Sequence, residues 1–596
     1  MNVSPRQRPG PQSGSGGNRV WLDRRAFLVA SGIILWVTVF VRQFVHPADA
    51  ISWTYQVLVL CLLLAATTGR ALLPQRPRND ARELAWPPAL VWGAIVLAAV
   101  LPHLHSLTIG FVSDDYGLAW IARDAGSAAE AMRSRGLISF LRPLVMLGWW
   151  VADRVWGGAP VGHHIAAILV HTANSLLVYA IGRKLIGRSY GALLGALLFA
   201  VHPLHVEPVC WPAAGADVLC TGFSLLSLLA VQTYWTTAPG GARPVLLGGA
   251  LAAFLLALLS KEAALALPGV IVLVVVLGGD SESRQECRSY GPASCGHVQR
   301  KLGDVALIVG AYVIVLAAYL GWRMQALGGL GGYTLPRTFW NTIFPSNPLL
   351  LVGDFLFPVH TTLFAGMGSV ASWLVVTAMA AGVLWWLAGL DRVPGRRLWL
   401  WVGSVFLLAI PSWTFRWQPS ASLEWTRFGY LPTIGLAWLF GDLCAGRGLG
   451  WKRSGAVATC IIAAFAALTI WYVMPWREAG RLARQAVAAG AKMVEEHTTP
   501  EGPPALYVRG LPEAYHGAPV LANCYPQAMN LALGKQVPVR VVTAMARAGG
   551  VHPDVMALWK LRPGEYFVAY DAKSARMSVV RSGGRRGALP STGGQP

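Results

Sequence analysis

Residues 244–260, PVLLGGALAAFLLALLS, and residues 263–279, AALALPGVIVLVVVLGG, decide the fold class of this protein. Each stretch is nearly long enough to cross the hydrocarbon core of a bilayer as a helix, and neither contains a charged side chain. Only Lys261 and Glu262 stand between them. Both stretches can cross the membrane only if the chain turns at this charged pair. The sequence therefore predicts two neighbouring membrane spans, 244–260 and 262–279.

Apolar runs of the same kind recur along the chain of 596 residues, of which 55% are apolar, 13% are charged and 26 are tryptophan. Ordinary soluble domains carry about 25% charged residues, so this composition excludes a soluble or disordered chain. We predict about 13 spans and an all-α polytopic membrane protein. The other eleven predicted spans are 26–44, 52–69, 86–104, 161–182, 190–206, 214–234, 303–322, 370–390, 396–411, 430–446 and 455–475.

The net charge of +21 arises mainly in short segments between the apolar runs. These segments hold 23 Lys and Arg against 7 Asp and Glu, which is 16 of the 21 excess charges. They alternate with poorly basic loops, as the positive-inside rule requires of cytoplasmic loops. No loop has the dense mixture of basic and aromatic residues typical of nucleic-acid binding, so we predict no nucleic-acid partner. The basic segments are 1–25, 69–85, 183–189, 235–243, 280–301, 391–398 and 446–453.

The chain ends are more polar than its middle. We predict a disordered cytoplasmic tail at 1–24, a transmembrane domain at 25–476, a small extracytoplasmic α/β domain at 477–582 and a flexible tail at 583–596. The expected strands of the small domain are 505–508, 537–542, 566–570 and 577–580, and a helix is expected at 478–497. A helix lying at the membrane interface is predicted at 141–157, and an interfacial or re-entrant segment is predicted at 346–364. The resulting location is the plasma (inner) membrane, with the N-terminus inside and the C-terminus outside.

Two adjacent carboxylates, Asp114 and Asp115, follow the span at 86–104 in the sequence FVSDDY. A carboxylate pair can supply a general base that takes a proton from a hydroxyl, or it can bind a divalent cation. The alternative is a helix N-cap, because Ser113 and the two aspartates precede a helical stretch. The pattern leaves a divalent cation open as a cofactor and assigns no metal ligand.

Further polar residues accumulate on the same predicted outer face. Histidine and carboxylate at a helix end can bind a metal, a phosphate or a sugar, or can simply form a polar surface. Lys261 and Glu262 either take part in binding or neutralise one another. The candidate substrate-binding residues are Arg142, His202, His205, Glu207, Lys261, Glu262, Glu424 and Arg427.

Five short motifs occur in a characteristic order. They are Asp-Asp at 114–115, Arg-Pro-Leu at 142–144, His-Pro-x-His-x-Glu at 202–207, Lys-Glu at 261–262 and Glu-x-x-Arg-Phe-x-Tyr-Leu-Pro at 424–432. Over about residues 105–480, the chain resembles bacterial relatives of the transmembrane and tetratricopeptide-repeat O-mannosyltransferases, within the GT-C superfamily. It departs from that pattern by two extra helices before the Asp-Asp loop and by an α/β region in place of the repeats.

The resemblance implies that Asp114 or Asp115 is the catalytic acidic residue and that the sugar donor is a polyprenyl-phosphate monosaccharide. The predicted function is an inverting transfer of the sugar to a hydroxyl acceptor of unspecified type at the outer membrane face. We expect that Asp114→Asn and Asp115→Asn both lower turnover in a folded protein. Three alternatives remain: a lipid-linked-glycan polymerase or ligase that uses a lipid diphosphate donor, a glycan transporter, and a non-catalytic sensor anchored by its helices.

Overall fold

The computed structural model describes residues 86–136, 140–237, 240–278, 296–329, 355, 358, 393, 395–412, 426–446, 451–541 and 561–582. Three predicted spans lie outside these residues, namely 26–44, 52–69 and 370–390. The predicted tails also lie outside them, as does the segment 346–364 except for Phe355 and Pro358. The chain divides into two units, Met1–Pro74 and Gln75–Pro596, and everything below concerns the second.

The described part of the chain is mainly helical. Its α-helices are α1 Pro88–Val100, α2 Asp114–Asp124, α3 Ala128–Arg133, α4 Pro143–Trp156, α5 Pro160–Ile186, α6 Ser189–Ala200, α7 Val206–Cys210, α8 Gly215–Thr236, α9 Ala242–Ser260, α10 Leu267–Gly278, α11 Gly296–Leu327, α12 Gly395–Ala409, α13 Thr433–Gly446, α14 Trp451–His497 and α15 Tyr525–Leu533. Short 3₁₀ segments include Leu101–Thr108, Pro203–His205, Pro212–Ala214, Glu262–Ala266 and Thr426–Gly429.

Six helical segments within the described residues are long and apolar enough to cross a membrane, and each coincides with a predicted span. The predicted span 190–206 is bent by 50° at a break between Ala200 and Pro203, where proline lacks the N–H that would continue the helix. The predicted spans 262–279 and 430–446 correspond to shorter apolar helices. The total of 13 spans stays a prediction. The six segments are Pro88–Thr108, Pro160–Ile186, Pro212–Thr236, Ala242–Ser260, Gly303–Leu327 and Gly455–His497.

Large apolar side chains project outward from these helices. Val245 is 75% exposed, Ile314 70% and Leu169 62%. Contiguous apolar surface of this kind is unfavourable in water and favourable against lipid tails. The chain is therefore a multi-pass membrane protein.

A small sheet follows the last long helix. Its strands are β1 Ala505–Arg509, β4 Val539–Val541, β5 Glu565–Asp571 and β6 Arg576–Ser582, and the short strands β2 Ala514–Tyr515 and β3 Ala518–Pro519 form a separate pair. The order is β4-β1-β5-β6, with β1 parallel to both neighbours and β6 antiparallel to β5. Leu506 and Val508 alternate toward the buried face of β1. These four strands lie within a few residues of their predicted positions.

The predicted boundary between residues 476 and 477 falls inside α14. This single helix of 47 residues runs through Pro475 and joins the predicted span 455–475 to the predicted helix 478–497. The change in composition marks where the helix surface becomes polar, but it does not mark a helix end. A separate domain at 477–582 therefore stays a prediction.

One hydrophobic core connects the acidic loop 109–116, helix α14 and the sheet region. It contains Val112 and Tyr116, Trp476 of α14, and Val520 and Tyr525 from the chain after β1. The backbones at Gly110 and Gly480 approach so closely that a Cβ on Gly480 would lie 2.7 Å from the Gly110 nitrogen. This packing brings the C-terminal part of the chain against the Asp-Asp motif.

Candidate functional site

The acidic loop holds an unusual backbone conformation immediately before α2. Ser113 has φ 46° and ψ −116°, a backbone conformation that residues other than glycine rarely adopt. Its N–H donates a hydrogen bond of 2.8 Å to the Val520 carbonyl. Ser113 occupies the N-cap position, but its side chain makes no capping hydrogen bond. Strained residues of this kind persist only where neighbouring contacts hold them, and they are frequent at functional sites.

Asp115 is completely buried and ties two backbone segments together. Its Oδ2 accepts a hydrogen bond of 3.0 Å from the Val112 N–H, and its Oδ1 accepts one of 2.8 Å from the Ala213 N–H. Burial raises the pKa of this carboxyl, while the two N–H donors act in the opposite direction. Both oxygens are therefore occupied by the fold, in part as the helix-cap alternative expects.

Asp114 differs from its neighbour because it is partly exposed at the first position of α2. Its Oδ1 accepts a hydrogen bond of 3.0 Å from Asn523 Nδ2. Its Oδ2 makes no hydrogen bond to any residue in the described part of the chain. The helix N-terminus favours negative charge at this position. Asp114 therefore has the geometry of a base, with one oxygen held and one available.

Each of the three candidate cations is paired with a carboxylate. Arg142 and Glu262 form two hydrogen bonds, at 2.5 Å from Nη2 and 3.3 Å from Nε. Arg142 is the N-cap residue of α4, immediately before Pro143, the first residue of that helix. Lys261 and Glu262, for which mutual pairing was one of two alternatives, form their ion pairs with other residues: Glu262 with Arg142 and Lys261 with Asp217.

Lys261 is paired with Asp217. The Lys261 Nζ lies 2.6 Å from both carboxylate oxygens of Asp217, and both side chains are about 95% buried, at 5% and 6% exposure. Lys261 is extended between α9 and the 3₁₀ segment 262–266, so its side chain leaves the helix axis and reaches α8. The pKa of Lys261 is lowered, chiefly because the side chain is buried. The carboxylate of Asp217 acts in the opposite direction, and the positive charges of Arg142 and Arg427 add to the lowering.

Arg427 is paired with Glu207, which is 1% exposed. The Glu207 carboxylate accepts from Arg427 Nη1 at 2.5 Å, from the Arg427 backbone N–H at 2.7 Å and from Thr426 Oγ1 at 3.0 Å. The Phe428 ring lies 4.9 Å from Lys261 Nζ and 5.0 Å from the Arg427 guanidinium. We call the six residues Arg142, Glu207, Asp217, Lys261, Glu262 and Arg427 the cation cluster.

The connection between α7 and α8 links the cation cluster to the acidic loop. The Trp211 ring lies 5.0 Å from the Arg427 guanidinium, and the Ala213 N–H binds Asp115. Asp217 lies two residues into α8, which begins directly after the same 3₁₀ turn. The same short connection therefore contacts both Asp115 of the acidic loop and Arg427 of the cation cluster.

The two histidines of the third motif are fully buried. His202 Nε2 lies 3.1 Å from the Phe355 carbonyl oxygen, and its ring stacks on Phe355. His205 Nε2 lies 2.8 Å from Thr433 Oγ1. These contacts favour a packing role, and substrate binding by either histidine stays a prediction. Glu424 lies outside the described residues. Within the described ranges, no three His, Cys, Asp or Glu side chains form a group that could hold a metal ion.

The candidate site residues predicted from the sequence do not include two members of this region, Asp217 and Asn523. Asp217 lies in the predicted span 214–234, and an ionisable residue inside a span is a usable signal of a buried partner. Asn523 has no such signal, because an exposed asparagine in a loop is common. Its importance follows only from its contact with Asp114.

Comparisons with known proteins agree with the resemblance. No protein-family model matches the chain. Protein O-mannosyl-transferase Tmtc1 of Drosophila melanogaster is 27% identical over 231 residues, which are 36% of this chain and 26% of that protein. Human protein O-mannosyl-transferase TMTC4 is 39% identical over 102 residues, 15% of this chain and 14% of that protein. The chain thus matches about a quarter or less of these relatives' length. The predicted resemblance to the transmembrane and tetratricopeptide-repeat O-mannosyltransferases is confirmed.

Among solved structures, ArnT from Cupriavidus metallidurans in the apo state is similar to this chain with a TM-score of 0.45 and 16% identity. The match covers 82% of this chain and 94% of that one.

Proposed function

We propose that this protein is an integral-membrane, inverting glycosyltransferase that moves a sugar from a polyprenyl-phosphate donor to a hydroxyl acceptor. The observation that carries the proposal is the difference between the two aspartates. Both oxygens of Asp115 accept backbone hydrogen bonds, whereas Asp114 has one oxygen that accepts from Asn523 and one that makes no hydrogen bond within the described part of the chain. The sequence similarity to named O-mannosyl-transferases supports the same reaction class.

In this mechanism Asp114 acts as the general base. Its Oδ2 takes the proton of the acceptor hydroxyl, and the acceptor oxygen attacks C1 of the sugar from the face opposite the phosphate. The bond between C1 and the phosphate oxygen breaks, and its electron pair remains on the polyprenyl phosphate. A single displacement of this kind inverts the configuration at C1. The availability of one carboxylate rather than two favours a single displacement, because a double displacement needs a second carboxylate as nucleophile.

The donor phosphate is assigned to the cation cluster. Arg142, Lys261 and Arg427 bring three positive charges, but Glu262, Asp217 and Glu207 balance them. Phosphate binding therefore depends on oriented N–H donors rather than on a net positive charge. Guanidinium groups suit this role because each presents several donors in a fixed plane. The carboxylates hold these donors in place before the donor lipid arrives.

The relatives' name suggests mannose and a protein hydroxyl as the first pair to test, although the similarity covers only short parts of those proteins. The direct test incubates purified full-length protein in detergent with undecaprenyl-phosphate-linked [³H]mannose and a membrane protein extract. Parallel reactions contain the corresponding glucose and arabinose donors.

We expect transfer of label to the protein or lipid fraction by the wild-type protein and by Asp124→Asn, an exposed control at the other end of α2, but not by Asp114→Asn. Absence of transfer from every polyprenyl-phosphate sugar by the folded wild-type protein would overturn the proposal. Transfer only from an undecaprenyl-diphosphate sugar would favour the polymerase or ligase alternative.

The proposed site lies on the non-cytoplasmic face of the plasma (inner) membrane. A cysteine-free variant carrying Lys573→Cys, in an exposed turn between β5 and β6, should react with a membrane-impermeant maleimide in intact bacterial cells. A second cysteine-free variant, which carries only Arg284→Cys in the basic segment 280–301, should react only after the cells are opened. The reverse pattern would contradict this topology.

A further inference from the structure

Two hydrogen bonds join the acidic loop to the segment after β3. One runs from the Ser113 N–H to the Val520 carbonyl at 2.8 Å, and the other from Asn523 Nδ2 to Asp114 Oδ1 at 3.0 Å. Asp114 and Asn523 are separated by 409 positions in the chain. The contact therefore exists only because the C-terminal region folds back onto the loop.

The segment that carries Asn523 is itself fixed in place. The Val520 N–H donates to the Glu513 carbonyl at 2.8 Å, and the Leu521 N–H donates to the Pro512 carbonyl at 3.1 Å. Val520 and Leu521 are buried in the shared hydrophobic core. These contacts hold the backbone immediately before Asn523.

The other end of the segment is equally constrained. Cys524 adopts φ 63° directly before α15, and Tyr525, the first residue of that helix, is buried. The Tyr525 hydroxyl donates to the Ala486 carbonyl in α14 at 3.1 Å. Asn523 thus lies between two anchored points, facing a loop that is strained at Ser113.

We propose that Asn523 is a positioning residue for Asp114, and this role rests on the proposed function. Its amide N–H fixes Oδ1 and so sets the plane of the carboxylate. Oδ2 is left directed toward the acceptor hydroxyl. The C-terminal region is then a part of the active site as well as a candidate surface for the acceptor.

The test compares two substitutions of Asn523 with one matched control. Asn523→Ala removes the donor, and Asn523→Asp keeps the shape of the side chain but replaces the donor with a like charge. Asn530→Ala is the control, because the Asn530 side chain accepts a hydrogen bond from the Val537 N–H in the same region without contacting the acidic loop. All variants are assayed as full-length protein with undecaprenyl-phosphate-[³H]mannose, or with whichever panel donor the wild-type protein uses.

We expect Asn523→Ala to lower kcat about tenfold, as the loss of a hydrogen bond to a charged group predicts, with donor KM unchanged. Asn523→Asp should lower kcat further because two carboxylates then face each other. Asn530→Ala should lower the thermal unfolding midpoint, with little change in kcat. A contact that merely docks the two regions would instead affect donor KM or stability and would leave kcat close to the wild-type value.

A double-mutant cycle adds a second readout. Asp114→Glu moves the carboxylate by one methylene away from the Asn523 amide, so Asn523→Ala should cost only about twofold in that background. If Asn523→Ala lowered kcat by the same factor in the wild-type and Asp114→Glu backgrounds, or if both Asn523 variants kept the wild-type kcat, the role of Asn523 would be overturned. The proposed function would remain intact. Absence of transfer by the wild-type protein would overturn the proposed function and this role with it.

Discussion

The acidic loop and the cation cluster are both charged in sequence, yet the fold treats them in opposite ways. In the loop, the Asp115 carboxylate accepts hydrogen bonds from two backbone N–H groups. The Asp114 carboxylate has one oxygen that accepts from Asn523 and one that is available. In the cluster, every candidate cation has a carboxylate partner within 2.6 Å. In the proposed mechanism, this difference leaves Asp114 free to exchange a proton, and it lets the cluster hold hydrogen-bond donors in fixed directions.

The cluster is also the more demanding of the two to build. Removing ions from water costs several kcal/mol per ion, and only good geometry and further hydrogen bonds recover that cost. Arg427 and Glu207 achieve this with three hydrogen bonds to one carboxylate. In the acidic loop, two backbone N–H groups compensate the burial of Asp115, whereas Asp114 is partly exposed to solvent.

The largest expected effect is on turnover in the acidic loop. Asp114→Asn should lower kcat by about 10²–10⁴-fold, because a positioned general base contributes that much, while the thermal unfolding midpoint stays close to that of the wild type. Asp124→Asn, the same substitution at the exposed end of α2, should leave kcat unchanged. If Asp114→Asn retained wild-type turnover with the donor that the wild-type protein uses, the general base would lie elsewhere. The acidic loop would then not be the proton-accepting region.

The next effect is on stability in the cation cluster. Lys261→Met leaves Asp217 as an unpaired buried carboxylate, which should lower the free energy of unfolding by about 3–5 kcal/mol. The double substitution Lys261→Met and Asp217→Leu removes both charges and should recover most of that loss, as measured by denaturation in detergent. Recovery of the fold without recovery of donor KM would assign Lys261 to the phosphate. Recovery of both would leave Lys261 a structural role only.

The sequence predicted local features well and pairings poorly. Alternation of apolar residues located the four strands of the sheet, since burial of one sheet face repeats every second residue. The ion pairs join residues 44, 120 and 220 positions apart, and a sequence pattern cannot choose among such distant partners. Pairing of Lys261 with its neighbour Glu262 therefore stayed open as an alternative, although the structure pairs Lys261 with Asp217 and Glu262 with Arg142.

The same reasoning applies to the two aspartates. Their motif predicted a functional loop, but adjacent residues in sequence gave no means to distinguish the accessible carboxylate from the buried one. That distinction depends on the Ala213 N–H and on Asn523, which belong to distant parts of the chain. Tertiary contacts of this kind decide which member of a motif can act.

A smaller effect on stability is expected for Asp115→Asn. The sequence alone predicted that this variant would fold like the wild-type protein, whereas the burial of Asp115 predicts a loss of stability. Asn at this position can accept one of the two backbone hydrogen bonds, but its NH₂ group then faces the other N–H donor. We expect the free energy of unfolding to fall by about 1–3 kcal/mol, the cost of an unsatisfied buried group. The measurement is the denaturation midpoint beside that of Asp114→Asn. Equal midpoints for the two variants would contradict the division of roles within the loop.

The smallest expected effect concerns Arg427→Lys, which keeps the charge of the cation cluster and removes the guanidinium plane. Lysine can still contact Glu207, but it cannot at the same time direct a second N–H from a rigid plane toward a phosphate oxygen. We therefore expect donor KM to rise about tenfold with a smaller change in kcat, because a contact made equally in the ground and transition states affects mainly KM. Arg481→Lys is the matched control, since Arg481 pairs with Glu478 on the surface of α14. If Arg427→Lys left donor KM at the wild-type value, Arg427 would serve only to hold the loop at 426–429 against Glu207, and the phosphate contacts would have to come from Arg142 and Lys261.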